Sequence, residues 1–307
     1  MSQIKVGIIG GSGLGQILPG DGGRRHAIQT PFGSPSDAII ETDIEGLPVL
    51  LLNRHGPGHL IPPTSIPFRA NIFTLKQLGC THIIASGACG SLRQEFKPRD
   101  LIIPDQIIDK TTSRAATFFE KAAVHVEFAE PFCPILRRIL IEQGANKTDP
   151  TVHDRGCYVC MEGPAFSTRA ESLMHRLWGG DLIGMTAMPE AKLAREAEIP
   201  YALIGIVTDY DSWKSQAPTT PGAPPPTKTE ALDPAALLQE IIGNLQSASA
   251  AAMELIRKTL RQIAADPARL SACPAQNALK LAIWSEKSRI PREEIERLSP
   301  LWAKYFG

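Results

Sequence analysis

The sequence predicts an α/β fold in which a mostly parallel β-sheet is wrapped by helices, and three observations predict it. Apolar, β-rich runs recur at residues 4–9, 48–52, 82–85, 100–104 and 201–207. Most are separated by turn or helical stretches such as 66–78 and 190–198. The chain's 307 residues, 43% of them hydrophobic, suffice for one large α/β domain or two small ones.

The first run ends in a glycine-rich turn, Gly10-Gly11-Ser12-Gly13-Leu14-Gly15, whose amides and Ser12 hydroxyl suit close approach to an anion. It is not a dinucleotide fingerprint, because Gln16 stands where the third glycine is required, and no P-loop lysine follows. The second run leads directly into Asn53-Arg54-His55-Gly56-Pro57-Gly58-His59, which puts Arg54, a planar two-donor group suited to phosphate, at a strand end. His55 and His59 have metal-ligand spacing, but the glycine and proline between them oppose a helix and no third ligand is signalled. The third run ends in Ser86-Gly87-Ala88-Cys89-Gly90-Ser91, where small residues let backbone donors converge. The last run, 201–207, is followed by Thr208-Asp209-Tyr210-Asp211. Open α/β sheets bind ligands at the carboxyl ends of their strands, so these two carboxylates are expected at a pocket; a turn or a helix cap is the plainer alternative.

The proline-dense segment 216–228 reads as a loop or surface crossing, and Asp233-Pro234 then opens a helix over about 235–263. Beyond 266 at least one more helix is expected, around 291–298, with Trp284 and Trp302 as anchors against the body or a partner chain. We therefore divide the chain into a main domain, 1–265, and a C-terminal helical extension, 266–307. The 32 basic and 32 acidic residues cancel, and no Lys/Arg tract appears, which leaves nucleic acid and anionic membrane without support and favours a small-molecule ligand. Six scattered cysteines, at 80, 89, 133, 157, 160 and 273, with no secretory signal or membrane-length apolar run, suggest a reduced, cytoplasmic protein. The Cys157–Cys160 pair reads as core of a strand, since no second pair exists for zinc.

The ordered motifs GGSGLG, RHGPGH, SGACGSL, MEGPAFSTRAES, GMTAMPEAKLAREAEIPYA and VTDYDSW resemble the trimeric purine nucleoside phosphorylases, and within them the methylthioadenosine phosphorylase family, across residues 4–214. The resemblance implies a single-domain phosphorylase/hydrolase-like fold with a central mixed β-sheet flanked by helices, a homotrimer, and roles in purine and methionine salvage. Phosphate would be held by Ser12, Arg54, His55, the backbone around Ala88, and Thr186. Phe166 would contact base or ribose with Ser167 nearby, and Met185 would pack under the ribose. Asp209 and Asp211 would meet the purine edge, Asp209 as general acid toward N7 and as acceptor from a 6-amino group. Inorganic phosphate would be a co-substrate, with no cofactor and no metal. A neighbouring subunit would supply His125 to the 5′ pocket; read without the resemblance, a histidine between valines belongs to a strand face or a core. Leu232, Ala235, Ala236, Leu237 and Leu238 are the candidate 5′ liners. Two departures stand out: Gly87 replaces a hydroxyl residue, and the tail after about 266 looks longer than usual. The competing readings are a 6-oxopurine or methylthioinosine phosphorylase, which Asp209 in place of asparagine opposes, a hydrolase, and an inactive nucleoside-binding protein.

Overall fold

The computed structural model describes residues 3–11, 22–145, 149–214, 234–270 and 273–306. Its strands and helices run, in chain order, β1 (Val6–Gly10), β2 (Arg24–His26), β3 (Ile39–Ile44), β4 (Leu47–Asn53), α1 (Phe68–Gln77), β5 (His82–Ser91), β6 (Leu101–Ile102), β7 (Gln106–Lys110) and α2 (Pro134–Gly144). There follow β8 (Val152–His153), β9 (Cys157–Met161), α3 (Arg169–Leu177), β10 (Leu182–Gly184), α4 (Ala187–Glu196), β11 (Tyr201–Tyr210), α5 (Pro234–Ala265), α6 (Arg292–Arg297) and α7 (Ser299–Trp302).

The strands form one mixed sheet, ordered β2-β3-β4-β1-β5-β10-β9-β7, with β11 paired to β5 and β6, and β6 to β8. The centre is parallel, as the apolar runs predict: β1 lies between β4 and β5, and β5 pairs β11. Strands buried on both faces read as continuous hydrophobic stretches, and β1 and most of β11 are buried at every position. Parallel pairs outnumber antiparallel ones, as expected, and the antiparallel pairs at β2–β3, β3–β4, β5–β10 and β6–β11 make the sheet mixed.

Two apolar layers cover the sheet. One joins Phe73 of α1, Leu193 of α4 and the C-terminal Leu298, Leu301 and Trp302; the other joins Leu136 of α2 with Leu255 and Ile256 of α5. Trp302 is fully buried against Phe119, so residues beyond 266 share the main core. Trp284, the other expected anchor, is 72% exposed on its own chain. Local sequence starts several helices. Thr168 and Glu171 form a reciprocal capping box on α3, and Cys133 accepts from Leu136 N ahead of Pro134 on α2.

β5 is the pivot. It does not end at Ala85 but runs on through Ser91, so the small residues 86–91 form strand rather than turn. One edge pairs β11 throughout; the other pairs β1 over His82–Ala85 and β10 at Gly90–Ser91. Between those partners, the edge is open where the carboxyl ends of β1 and β4 converge. β10 returns antiparallel along β5 and delivers Met185 and Thr186 opposite that opening. Run 100–104 shortens to β6, two residues long.

Candidate active site

A cavity of about 270 Å³ lies at these strand ends, lined by Arg54, His55, Ala88, Phe166, Met185, Thr186, Asp209 and Asp211 among others. Eight side chains or backbones named from sequence thus meet in one space. A larger cavity, about 520 Å³, sits at the opposite ends of the strands against His82 and contains none of them. The chemistry-bearing groups decide which cavity is the site.

At one end Arg54 is wholly buried. Its Nε and Nη2 donate to the two oxygens of Glu190 at 2.7 and 2.8 Å, and Nη1 donates to Ser86 O at 2.8 Å. Tyr201 Oη donates to the same Glu190 at 2.8 Å. Burial alone would depress the guanidinium; the Glu190 carboxylate overrides it and holds Arg54 charged. The fork predicted to face phosphate is therefore committed to Glu190, and the remaining N–H groups of Nη1 and Nη2 are what it can offer a ligand. Gly11 explains part of the glycine-rich turn: a Cβ there would fall 2.7 Å from Arg54 Nη1 and 2.8 Å from Ser86 O. Ser12 lies outside the described residues.

His55 is buried, and its Nδ1 pairs with Ile61 O at 2.8 Å, which makes Nδ1 the donor and leaves Nε2 as an acceptor. Burial pushes its pKa down to about 4, against the carbonyl bond and with help from Arg54, so the ring is neutral at pH 7. It stacks on His59 with centroids 4.1 Å apart. Thr186 precedes α4 without spending its hydroxyl on a cap, and its Oγ1 lies 3.4 Å from where a Gly87 Cβ would stand.

At the other end, Asp209 is held by Thr208 Oγ1, 2.6 Å from Oδ2, while Oδ1 lies over Gly90. Burial, with smaller contributions from Asp211 and Glu240, raises Asp209 to about 6 against the Thr208 bond. Asp211 is buried, its N–H donating to Ser91 O at 3.1 Å. Met185 forms the floor, close enough to Gly163 that a Cβ there would stand 2.6 Å from its sulfur; φ of +71° at Gly163 independently requires glycine. Phe166 lines the cavity although 73% exposed, so it is a rim. Ser167 sits behind it, buried, its carbonyl accepting from Ser212 Oγ at 2.7 Å.

Of the expected 5′ liners, only Leu238 has a described side chain. Leu238 is 56% exposed and outside the cavity; Ile241 and Leu245, one and two turns on along α5, line it instead. Leu232 lies outside the described residues, as does the 216–228 segment, and the side chains of Ala235, Ala236 and Leu237 do too. Asn244 fixes this register by donating to Thr208 O at 2.8 Å. Sequence reasoning missed Ile241, Asn244 and Leu245, although their i, i+3, i+4 spacing was visible, and missed Glu190, whose partner is 136 residues away. His125 is exposed and does not line its own chain's cavity; its ring lies 4.7 Å from that of exposed Trp284.

The cavity is thus a glycine-lined opening with a buried cation at one end and a raised carboxyl at the other. The chain belongs to the phosphorylase superfamily, which it matches over residues 5–261. Within that superfamily its relatives are S-methyl-5′-thioadenosine phosphorylases. The Thermosynechococcus vestitus protein is 44% identical over 98% of this chain and 99% of its own, and that of Geobacter sulfurreducens 42% identical over 99% and 100%. A crystal structure of methylthioadenosine phosphorylase from an antarctic soil metagenomic library superposes with a TM-score of 0.83 at 40% identity, covering 98% of this chain and 99% of that one. The methylthioadenosine phosphorylase of Schistosoma mansoni, solved with adenine, gives 0.79 at 35%, covering 92% and 99%. These full-length matches correct the expectation of an overlong tail: residues after 266 have counterparts in the relatives.

Proposed function

We propose that the enzyme, a pentosyltransferase, cleaves 5′-methylthioadenosine with inorganic phosphate to adenine and 5-methylthioribose 1-phosphate. The observation that carries this reading is the pairing of a charged Arg54 with a carboxyl raised to about 6 at Asp209 across one cavity.

Phosphate binds at the open edge of β5, against the free N–H groups of Arg54, the Ala88 amide, the Thr186 hydroxyl and Ser12. Neutral His55 presents Nε2 as an acceptor, which suits the remaining P–OH of a hydrogen phosphate dianion. A phosphate oxygen then attacks C1′ as the C–N bond breaks through an oxocarbenium-like state, and the nearby phosphate charge favours the cationic sugar. Charge leaving with the base is neutralised at N7 by the proton of Asp209, whose ionised oxygen afterwards accepts from the 6-amino group. Met185 and Phe166 hold the ribose, Ser167 supports Phe166, and Ile241 and Leu245 supply apolar contact for the methylthio group. No cofactor or metal takes part in this scheme. Exposed His125 is available to complete a neighbour's 5′ pocket in a homotrimer, and the reaction places the enzyme in purine and methionine salvage in the cytoplasm. Among the described residues, no helix is long and apolar enough to cross a membrane.

Adenine release from methylthioadenosine, with and without phosphate and beside adenosine, inosine and methylthioinosine, tests this reading. Phosphate-dependent release that is fastest with methylthioadenosine is expected. Release without phosphate would make it a hydrolase, and preference for either 6-oxopurine nucleoside would overturn the role of Asp209.

A further inference from the structure

The hydroxyl that meets Asp209 stands where β11 breaks step with its neighbour. Against β5 the register runs from Val207 opposite Cys89 to Asp209 opposite Gly90, so Thr208 is the extra residue of a β-bulge. A bulge re-aims the side chains beside it, and this one falls at the wall of the cavity, which Thr208 and Asp209 both line. The backbone there is held in place: Thr208 O accepts from Asn244 Nδ2 of α5 at 2.8 Å. Thr208 itself is buried.

The threonine has one proton to give and two acceptors within reach. Its Oγ1 lies 2.6 Å from Asp209 Oδ2 and 3.3 Å from Cys89 O. The shorter contact has the length of a charge-assisted O–H···O⁻ bond, and a carboxyl group of this kind is the better acceptor, so the hydroxyl donates to Oδ2. An oxygen that accepts there is not the one that carries the carboxyl proton. Protonation therefore falls on Oδ1, which lies over Gly90, a residue of the cavity wall. The other groups acting on Asp209 are Asp211 at the end of its own strand, Glu240 of α5 and the Cys89 thiol of β5. The two carboxylates favour its protonated form, and burial together with Asp209 keeps the thiol neutral; only Thr208 bonds one oxygen and so distinguishes it from the other.

We propose that Thr208 is a positioning residue for the general acid: its hydroxyl, by donating to Oδ2, locks the carboxyl of Asp209 and keeps the transferable proton on Oδ1. This rests on the reading of Asp209 as general acid. As the purine leaves, the Oδ1–H bond breaks and an N7–H bond forms, and the carboxylate left behind keeps the Thr208 bond, now to a full negative charge. One hydroxyl thus orients the acid before transfer and stabilises its conjugate base afterwards. Without it the carboxyl is free to turn, its proton is shared between two oxygens, and the acid is weaker.

The test is the pH profile of kcat/KM for methylthioadenosine at saturating phosphate in wild type, Thr208→Val, Thr208→Ser and Thr208→Ala. Valine removes the hydroxyl and keeps the branched shape; serine and alanine differ from each other only in the hydroxyl. Thr208→Val is expected to lower the acid plateau by about tenfold. It should also move the limb on which activity falls with rising pH upward by about one pH unit, because the lost bond favoured the ionised form. Thr208→Ser is expected to recover the limb and most of the plateau, with the KM for phosphate unchanged in every variant. An unmoved limb or plateau in Thr208→Val, or a serine variant no better than the alanine one, overturns the proposal. So does a loss matched by a rise in the phosphate KM, the mark of a displaced strand rather than a missing hydroxyl. If Thr208→Val fails to fold, the serine and alanine variants decide: a lower plateau and a higher limb in alanine uphold the proposal, and identical profiles overturn it. A wild type that releases no adenine with phosphate would instead overturn the underlying reading, and the proposal with it.

Discussion

At one end of the cavity Arg54 has no solvent exposure and keeps its charge because Glu190 meets two of its nitrogens and Tyr201 steadies Glu190; at the other end Asp209 is partly buried with no cation bonded to it and is driven toward its protonated form. Burial has opposite results at the two ends because one group has a charged partner and the other has only Thr208 Oγ1. In the proposed reaction, pairing preserves a fixed positive field for an anionic nucleophile, and desolvation preserves a transferable proton for a leaving group.

The largest way to break this contrast is Asp209→Ala, which removes the proton donor. We expect kcat for methylthioadenosine to fall by roughly 10²–10⁴, as for loss of a general acid, with little loss of stability in chemical denaturation. The stability sign follows from the raised pKa: the folded state binds the proton more tightly, so Asp209 makes the protein less stable as pH rises from about 4 to about 6. Asp209→Asn should flatten that part of the profile relative to wild type. At the other end, Glu190→Ala strands Arg54 as an uncompensated buried charge. A loss of about 3–5 kcal/mol in urea-measured stability is expected, together with a raised KM for phosphate.

Two smaller changes sharpen the comparison. Leu245→Ala enlarges the 5′ pocket and should reduce the preference for methylthioadenosine over adenosine by about 1–3 kcal/mol in kcat/KM, leaving both ends intact. Gly87→Ser places a hydroxyl beside Thr186, where an added Cβ meets only Oγ1 at 3.4 Å. One new hydrogen bond to phosphate, about 0.5–1.5 kcal/mol, should lower the KM for phosphate several-fold.

The centre of this fold was legible because β1 and β11 are buried on both faces and therefore uniformly apolar. β3, Ile39–Ile44, was not, since between the short β2 and β4 it is only partly covered, which leaves a mixed pattern with one exposed residue and no clean alternation. β5 extends past Ala85 because β11 pairs it through Ser91, a tertiary partner that overrides the loop-like composition of Ser86–Ser91. In the site, residues at strand ends could be placed from their runs, but not what they bond. Arg54 was read as a free fork because its acceptor lies on α4, and only the folded sheet brings the two together. Ile241 and Leu245 were not foreseen as liners because the Asn244–Thr208 bond, which helical periodicity does not reveal, sets where α5 crosses the cavity.

The claim that the two ends act separately, with Asp209 both donating to N7 and selecting a 6-aminopurine, is tested most directly by one ratio. This is kcat/KM for methylthioadenosine over that for methylthioinosine, measured in wild type and in Asp209→Asn, with the KM for phosphate recorded alongside. The account predicts that the ratio falls by at least about a hundredfold, the lower bound for loss of a general acid, while the phosphate KM stays put. An unchanged ratio, or a fall matched by an equal rise in phosphate KM, would contradict it.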